Sequence, residues 1–523
     1  MVEGVSRDSH GSSGRRRRRW PIPLLALVAF VLVTRLPALL HPKAIDDEQV
    51  YAVVGIEMLH GGQPYLSAVE RKPPLLFAVY DAIFRVAGAY NWTAVHLVMV
   101  LWTLATMGLL ALIARRLFDP ATGWWAALLY ALFLPWADYR NLALNGELLM
   151  NLPVVAALAL CFARGRFRWR PELVPAGALV ALGFLLKQPA GIAALPLGLY
   201  LLLPDYRAAR GLSWIHSLAQ GALLTLGYLG TFALAAAVLH HEGLLHQALY
   251  WSVLSQGSPY GLDNYARNLW KALPLFVVTT LPLLFGTGVS LVQAGRGQGP
   301  WPAHRAELTA LLLLLAVSVV GVSVNGQFLF HYFIQLLPPL ALLAAPAFAA
   351  LSRGERRAWA WVRRGFVTGW LAVTAVAFLV ADTIGLSRNR RPGRSAEYVR
   401  VHTGPTDRIF VWGQADAETG FYLDARRRPA SRYIASYPLT GHIFSVPWSP
   451  TLDEKSRIVP GAWDSLQSDF ARHPPRYIID AEAVRDPVRY PIARYPFLRD
   501  YLAAYYRLVW HAPDGLVYAR VTD

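Results

Sequence analysis

Residues 94–117 read AVHLVMVLWTLATMGLLALIARRL, and this stretch decides what kind of chain it is. From Ala94 to Ile113 it is one apolar run, about as long as the roughly 20 residues a helix needs to cross a bilayer. It closes on Arg115 and Arg116, a basic flank of the kind retained on the cytoplasmic side. Similar runs recur at Pro21–Leu40, Gly221–Leu239, Leu308–Val324 and Phe366–Ala381. Such runs lack the polar alternation of a water-soluble core. With 523 residues, 55% of them hydrophobic, and a mean hydropathy of +0.34, the chain reads as a polytopic α-helical membrane protein.

The net charge of +17 suggests nucleic acid until its distribution is read. The basic residues sit in short gaps between alternate apolar runs: Arg15–Arg19, Arg115–Arg116, Arg164–Arg170, Arg207–Arg210, Arg296–Arg305 and Arg353–Arg364. That is the positive-inside pattern, so the charge orients the chain in the membrane and nucleic acid is excluded as a partner. Counting from these flanks gives about eleven spans. They fall near 22–40, 94–117, 122–137, 147–163, 173–188, 190–204, 213–239, 272–293, 307–324, 331–349 and 365–385. An odd number from a cytoplasmic N-terminus places the C-terminus outside the plasma (inner) membrane. The Ala, Gly and Pro content of several spans suits helices buried among other helices.

Three regions follow. Residues 1–21, with Gly, Ser and the Arg run, are expected to be a disordered basic N-terminus. The run after it has no small-residue cleavage site and reads as a retained first span of a transmembrane region, 22–386. From 387 to 523 Arg, Asp and Pro rise and short strand-like runs appear at Arg408–Trp412, Gly420–Leu423, Arg476–Asp480 and Leu516–Val521. Helical candidates, Ala462–Arg472 and Tyr495–Tyr505, lie between them, so this region reads as an external soluble domain of α/β or α+β type. The only cysteine, Cys161, lies in an apolar run and leaves no intramolecular disulfide.

Two outward loops, 41–93 and 240–271, are too long to be simple connectors. The first holds an amphipathic stretch from Asp47 to His60, stopped by Gly61-Gly62. A second helix follows Lys72, opened by Pro73-Pro74, with an apolar run too short to span; it suits the interface. At the head of the loop stand Asp46, Asp47 and Glu48. They fit either a solvated helix N-terminus or a carboxylate that takes a proton from an acceptor hydroxyl. Lys72 stands out because 45 of the 50 basic residues are arginine. Before a helix start it fits either an interfacial lysine or a phosphate contact. In the second loop His240, His241, Glu242 and His246 lack metal-motif spacing, and Tyr250, Trp251, Tyr260 and Tyr265 suit an interfacial belt.

The succession Asp47-Glu48-x-x-Tyr51-Ala52, Gly61-Gly62-x-Pro64-Tyr65, Lys72-Pro73-Pro74-Leu75-Leu76 resembles the first periplasmic loop of bacterial membrane glycosyltransferases of family 39 type. These belong to the GT-C superfamily, with the protein O-mannosyltransferases and lipid A aminoarabinose transferases. The likeness continues through Asn145-Gly146-Glu147, Gly183-x-x-x-Lys187-Gln188-Pro189, His331-Tyr332 and Asp407–Gly413. The resemblance implies inverting transfer of a sugar from a polyprenyl-phosphate-linked donor to a lipid, glycan or protein acceptor outside the membrane. It implies Asp47 as base, with Glu48 in a lesser role, and Glu147 shaping the acceptor or metal region. Lys72, Lys187, Arg267 and Tyr332 fall at positions near the carrier phosphate. No organic cofactor is implied, and a divalent metal is left open. The competing class is a transporter or lipid-carrier flippase, which would place ionisable residues at midspan rather than at the outer surface.

Overall fold

The computed structural model describes residues 21–136, 138–163, 169–256, 262–353, 358–388, 393–413, 416–442, 454–485 and 488–521. The N-terminal segment up to residue 20, much of the basic gaps at 164–170 and 353–364, and Tyr260 lie outside the described residues.

The chain opens with α1 (Pro21–Leu40), α2 (Glu48–Leu59), α3 (Pro74–Ala87), α4 (Trp92–Leu117), α5 (Pro120–Phe133) and α6 (Gly146–Phe162). It continues with α7 (Leu173–Leu186), α8 (Ala194–Leu202), α9 (Pro204–Arg210), α10 (Trp214–His241), α11 (Leu245–Ser252) and α12 (Leu262–Thr279). Then come α13 (Leu281–Gly295), α14 (Arg305–Ser323), α15 (Leu337–Arg353) and α16 (Ala358–Arg388). Every apolar run read as a span is helical. By length and hydropathy alone, five helical segments among the described residues are able to cross a membrane, six if the bent pair α12–α13 is one span. Four more apolar helices are shorter, so the count of eleven exceeds what length alone supports.

The span read at 272–293 is corrected in shape. α12 begins ten residues earlier, at Leu262, and turns by 75° into α13. The break falls at Thr280-Leu281-Pro282, where proline disfavours helical geometry in the residue before it and removes a backbone donor. Elsewhere the small residues do what their placement suggested. A Cβ on Gly177 would lie 1.9 Å from the Leu224 carbonyl oxygen, and one on Gly227 1.8 Å from that of Val174, so α7 and α10 touch backbone to backbone. Arg35 of α1 and Asp382 of α16 are both buried, two ionisable residues within spans that the sequence reading did not weigh.

Beyond α16 the chain forms α17 (Arg394–Val401), α18 (Asp416–Ala425) and a five-stranded sheet in the order β2-β1-β3-β5-β4. Its strands are β1 (Arg408–Trp412), β2 (Arg428–Pro429), β3 (Tyr477–Asp480), β4 (Tyr506–Ala512) and β5 (Gly515–Arg520). β1 pairs parallel with β2 and β3; β3–β5 and the β4–β5 hairpin are antiparallel. The strand read at Gly420–Leu423 is instead the middle of α18. There the buried Glu418 accepts the Gly413 N–H at 2.9 Å and the Ser436 N–H at 2.9 Å, tying the helix to the end of β1.

Loop 41–93 joins the helical part to this sheet domain. Both carboxylate oxygens of the buried Glu57, near the end of α2, accept from Arg428 at 2.6 and 2.7 Å, and Arg408 lies 3.5 Å away. Lys43 pairs with Asp424 at 3.3 Å, and the Val69 N–H donates to the Arg432 carbonyl at 2.8 Å. A buried, doubly hydrogen-bonded carboxylate–guanidinium pair fixes orientation as well as contact.

Candidate active site

α2 starts where Asp46 takes a left-handed backbone, φ +50°, and swings the next residue to the helix N-cap position. The Asp47 side chain makes no capping hydrogen bond there. Instead it accepts from the Tyr51 hydroxyl, one turn on, at 2.7 Å. Asp47 thus stands at the helix start with its side chain turned to Tyr51 and not to the helix N–H groups. Asp46 and Asp47 together flank His331, at 3.4 Å from Nδ1 and 3.6 Å from Nε2.

These residues open on a cavity of about 590 Å³ between loop 41–93, α12, the segment 327–332 and the sheet domain. Its wall carries Asp46, Asp47, Lys72, Lys271, His331 and Tyr332, and Tyr437 of the sheet domain closes one side with Arg71 stacked 4.5 Å from its ring centre. The loop motifs are the scaffold of this wall. Tyr65, of the Gly-Gly-x-Pro-Tyr element, donates its hydroxyl to the Lys72 carbonyl at 2.7 Å, and Gln188 donates to the Arg71 carbonyl at 3.1 Å. Lys72 is thus held by its backbone on both sides while its ammonium stays 4.0 Å from Glu70.

Lys187 and Glu147 lie just behind the wall, paired at 2.9 Å, with the Lys187 ammonium 5.2 Å from the Tyr332 ring centre. Asn145 caps α6 by accepting from the Leu148 N–H at 2.9 Å, and a Cβ on Gly146 would sit 2.7 Å from Lys187 Cδ. The Asn-Gly-Glu triplet therefore starts the helix, admits the lysine and supplies its counter-ion. Tyr332 donates its hydroxyl to Gln327 at 2.9 Å and accepts from Asn325 at 3.1 Å.

Two expected site residues stand elsewhere. Glu48 is fully buried away from the cavity and accepts from the Ile45 N–H at 2.8 Å, the Leu144 N–H at 2.5 Å and, at 3.4 Å, His96. With both oxygens engaged it is a brace for the loop. Arg267 is on α12, donating to Asn264 at 2.6 Å, and is not on the cavity wall; Lys271, one turn further on, is. Sequence reasoning passed over Lys271 and gave no role to His331, although it quoted His331 beside Tyr332. The signal for Lys271 was present: the chain has five lysines, and three of them, Lys72, Lys187 and Lys271, lie at or behind this wall.

Burial pushes the Asp47 carboxyl up, but the charges of His331, Lys72 and Lys187 and the Tyr51 hydrogen bond outweigh it and hold the group well below the usual carboxylate range. Burial lowers the Lys72 ammonium, and Lys187 adds to the effect. Asp46, Asp47 and His331 each offer one ligand atom within 4.8 Å of the others, an oxygen-and-imidazole set that fits a divalent cation. His240, His241, Glu242 and His246 form no such group among the described residues.

Residues 71–229 match the family described as Dolichyl-phosphate-mannose-protein mannosyltransferase. Among solved structures, ArnT from Cupriavidus metallidurans bound to undecaprenyl phosphate superposes with a TM-score of 0.62 at 16% identity, over 95% of this chain and 98% of that one. The archaeal oligosaccharyltransferase AglB from Archaeoglobus fulgidus, in complex with an inhibitory peptide and a dolichol-phosphate, gives 0.53 at 14% identity, over 96% and 74%. This chain has the GT-C fold. By sequence the chain is similar to the undecaprenyl phosphate-alpha-4-amino-4-deoxy-L-arabinose arabinosyl transferase 2 of Pseudomonas fluorescens, 32% identical over 63% of this chain and 56% of the relative. The corresponding transferase of Pseudomonas aeruginosa is 30% identical over 64% and 60%. The matched sequence thus spans little more than half of these relatives' length. The resemblance to family 39 glycosyltransferases read from the loop motifs is borne out.

Proposed function

We propose that the chain transfers a sugar from a polyprenyl-phosphate-linked donor to an acceptor hydroxyl at the outer face of the inner membrane, with inversion and with Asp47 as general base. The observation that carries the reading is the single cavity wall on which an uncapped carboxylate, Asp47, shares space with Lys72 and Lys271, with Lys187 just behind. The carrier phosphates bound in the ArnT and AglB structures support a lipid-phosphate donor in this fold.

In this mechanism the acceptor O–H gives its proton to Asp47 as its oxygen attacks the anomeric carbon. The bond from that carbon to the phosphate oxygen breaks on the opposite face, and inversion follows. The leaving phosphate is already an anion, so it needs cations and no general acid. Lys72 and Lys187, with Tyr332 alongside, provide them. Lys271 takes the part first read for Arg267. Glu147 holds Lys187 in place, and Glu48 braces the turn that presents Asp47.

The low basicity of resting Asp47 has a function in this scheme. His331 depresses it most, and the next two cations, Lys72 and Lys187, are those the carrier phosphate would neutralise. Donor binding therefore raises the basicity of Asp47 when a base is needed. Were a divalent cation held by Asp46, Asp47 and His331, it would supply further positive charge near the leaving phosphate.

The test is transfer by the purified chain carrying Asp47→Asn. Lost turnover with retained donor binding supports the reading; near-normal turnover overturns it.

A further inference from the structure

A second cleft, of about 320 Å³, lies at the other end of α2, where the Gly61-Gly62 turn meets the edge of the sheet. Four arginines line it, Arg408, Arg428, Arg432 and Arg472, against two acids, Glu57 and Asp469. Both acids are fully engaged. Glu57 is held by Arg428 and Arg408. Asp469 takes the Arg432 guanidinium at 2.8–3.3 Å, together with the Arg432 N–H at 2.9 Å and the Ser431 hydroxyl at 3.2 Å.

What is left over is cationic. Arg472 has no ion pair or side-chain hydrogen bond among the described residues, and Arg408 keeps Nε and Nη2 unpaired there. Four guanidiniums against two carboxylates leave two positive charges facing one hollow. A seam built only to join two parts gains nothing from that imbalance, because like charges in a cleft repel. A concave surface of one sign concentrates counter-charge, and guanidinium forks match the planar or tetrahedral oxygens of carboxylate and phosphate. The volume is that of a small-ligand site.

We propose that this cleft binds an oxyanion group, phosphate or carboxylate, carried by the acceptor. α2 has 12 residues, so the cleft stands about 18 Å from Asp47 along the helix. An acceptor anchored there presents its reacting hydroxyl one helix length away. That the ligand belongs to the acceptor rests on the glycosyl-transfer reading; that the cleft takes an oxyanion does not.

The experiment is calorimetric titration of the full chain in detergent micelles at low salt, with inorganic pyrophosphate and, separately, citrate. A Lys72→Ala, Lys271→Ala background removes the two lysines of the cavity wall. Pyrophosphate or citrate should still bind in that background, and the tighter of the two identifies the oxyanion. Adding Arg472→Gln, a change at an exposed helix end, should weaken binding at least tenfold. Arg408→Gln should do the same in the otherwise native chain. Absence of binding in the background, or affinity untouched by both arginine changes, overturns the cleft. In transfer assays Arg472→Gln should raise the half-saturating acceptor concentration with turnover at saturation unchanged. Asp47→Asn should keep its anion titration while losing turnover, so failure of the cleft and failure of the transferase reading are separately visible.

Discussion

Asp46, Asp47 and Glu48 are three neighbouring acids with three environments. Asp46 occupies a left-handed turn against His331, Asp47 faces the cavity, and Glu48 is sealed against backbone amides. Asp47→Asn keeps the size and removes basicity, so transfer should fall by about 10²–10⁴-fold, roughly 3–5 kcal/mol of barrier, in a single-turnover assay. Asp46→Asn should cost much less. Glu48→Gln should show itself in denaturant unfolding, with a loss of about 1–3 kcal/mol, because a buried acceptor is replaced by a donor against backbone N–H groups. Lys72→Ala and Lys271→Ala should each raise the half-saturating donor concentration, and Lys72→Arg should rescue only in part, since a planar fork does not replace a compact ammonium. At this scale the sequence was legible where chemistry made a residue rare. Lys72 stood out for that reason, and Lys271 met the same criterion without being read. Glu48 was not legible, because one of its oxygens is taken by a backbone N–H almost a hundred residues away, at Leu144.

Elements were legible where a local rule fixes them. Gly61 ends α2 with φ +83°, and Pro73-Pro74 opens α3. They were not legible where long-range packing decides. Gly420–Leu423 has the composition of a strand, yet Glu418 two residues before it binds the end of β1 from a helical turn. The two-residue β2 has too little sequence to carry any pattern. Inside the sheet, burial pushes the Asp480 carboxyl at the end of β3 up to about 6 from 3.8, against backbone N–H groups that pull it down. The fold therefore favours the protonated form. Stability from this group is greatest below the ordinary carboxylate range and is lost as pH rises from 3.8 towards 6. Thermal unfolding of the intact chain, followed by tryptophan fluorescence, should show Asp480→Asn flattening this part of the pH dependence. The difference between the two chains should reach on the order of 2–3 kcal/mol by pH 7.

For the molecule as a whole, the positive-inside flanks lead us to propose that the sheet domain lies outside the membrane. An alkaline phosphatase fused after Asp523 should be active and a cytoplasmic reporter in the same place silent; the opposite pair of results reverses the topology. Membrane class was plain from apolar runs alone, whereas the span count was not, since buried helices such as α7 need not match the bilayer thickness. The joint between the two parts was invisible in sequence, because Glu57 and Arg428 lie 371 residues apart. That joint sets the rules for anyone building hybrids. Grafting the sheet domain of a relative onto this membrane region would orphan the Glu57 carboxylate and sever the Lys43 and Val69 links together, so such chimaeras should express poorly. A hybrid that swaps loop 41–93 together with the sheet domain keeps Glu57 with Arg428 and Arg408, Lys43 with Asp424 and Val69 with Arg432.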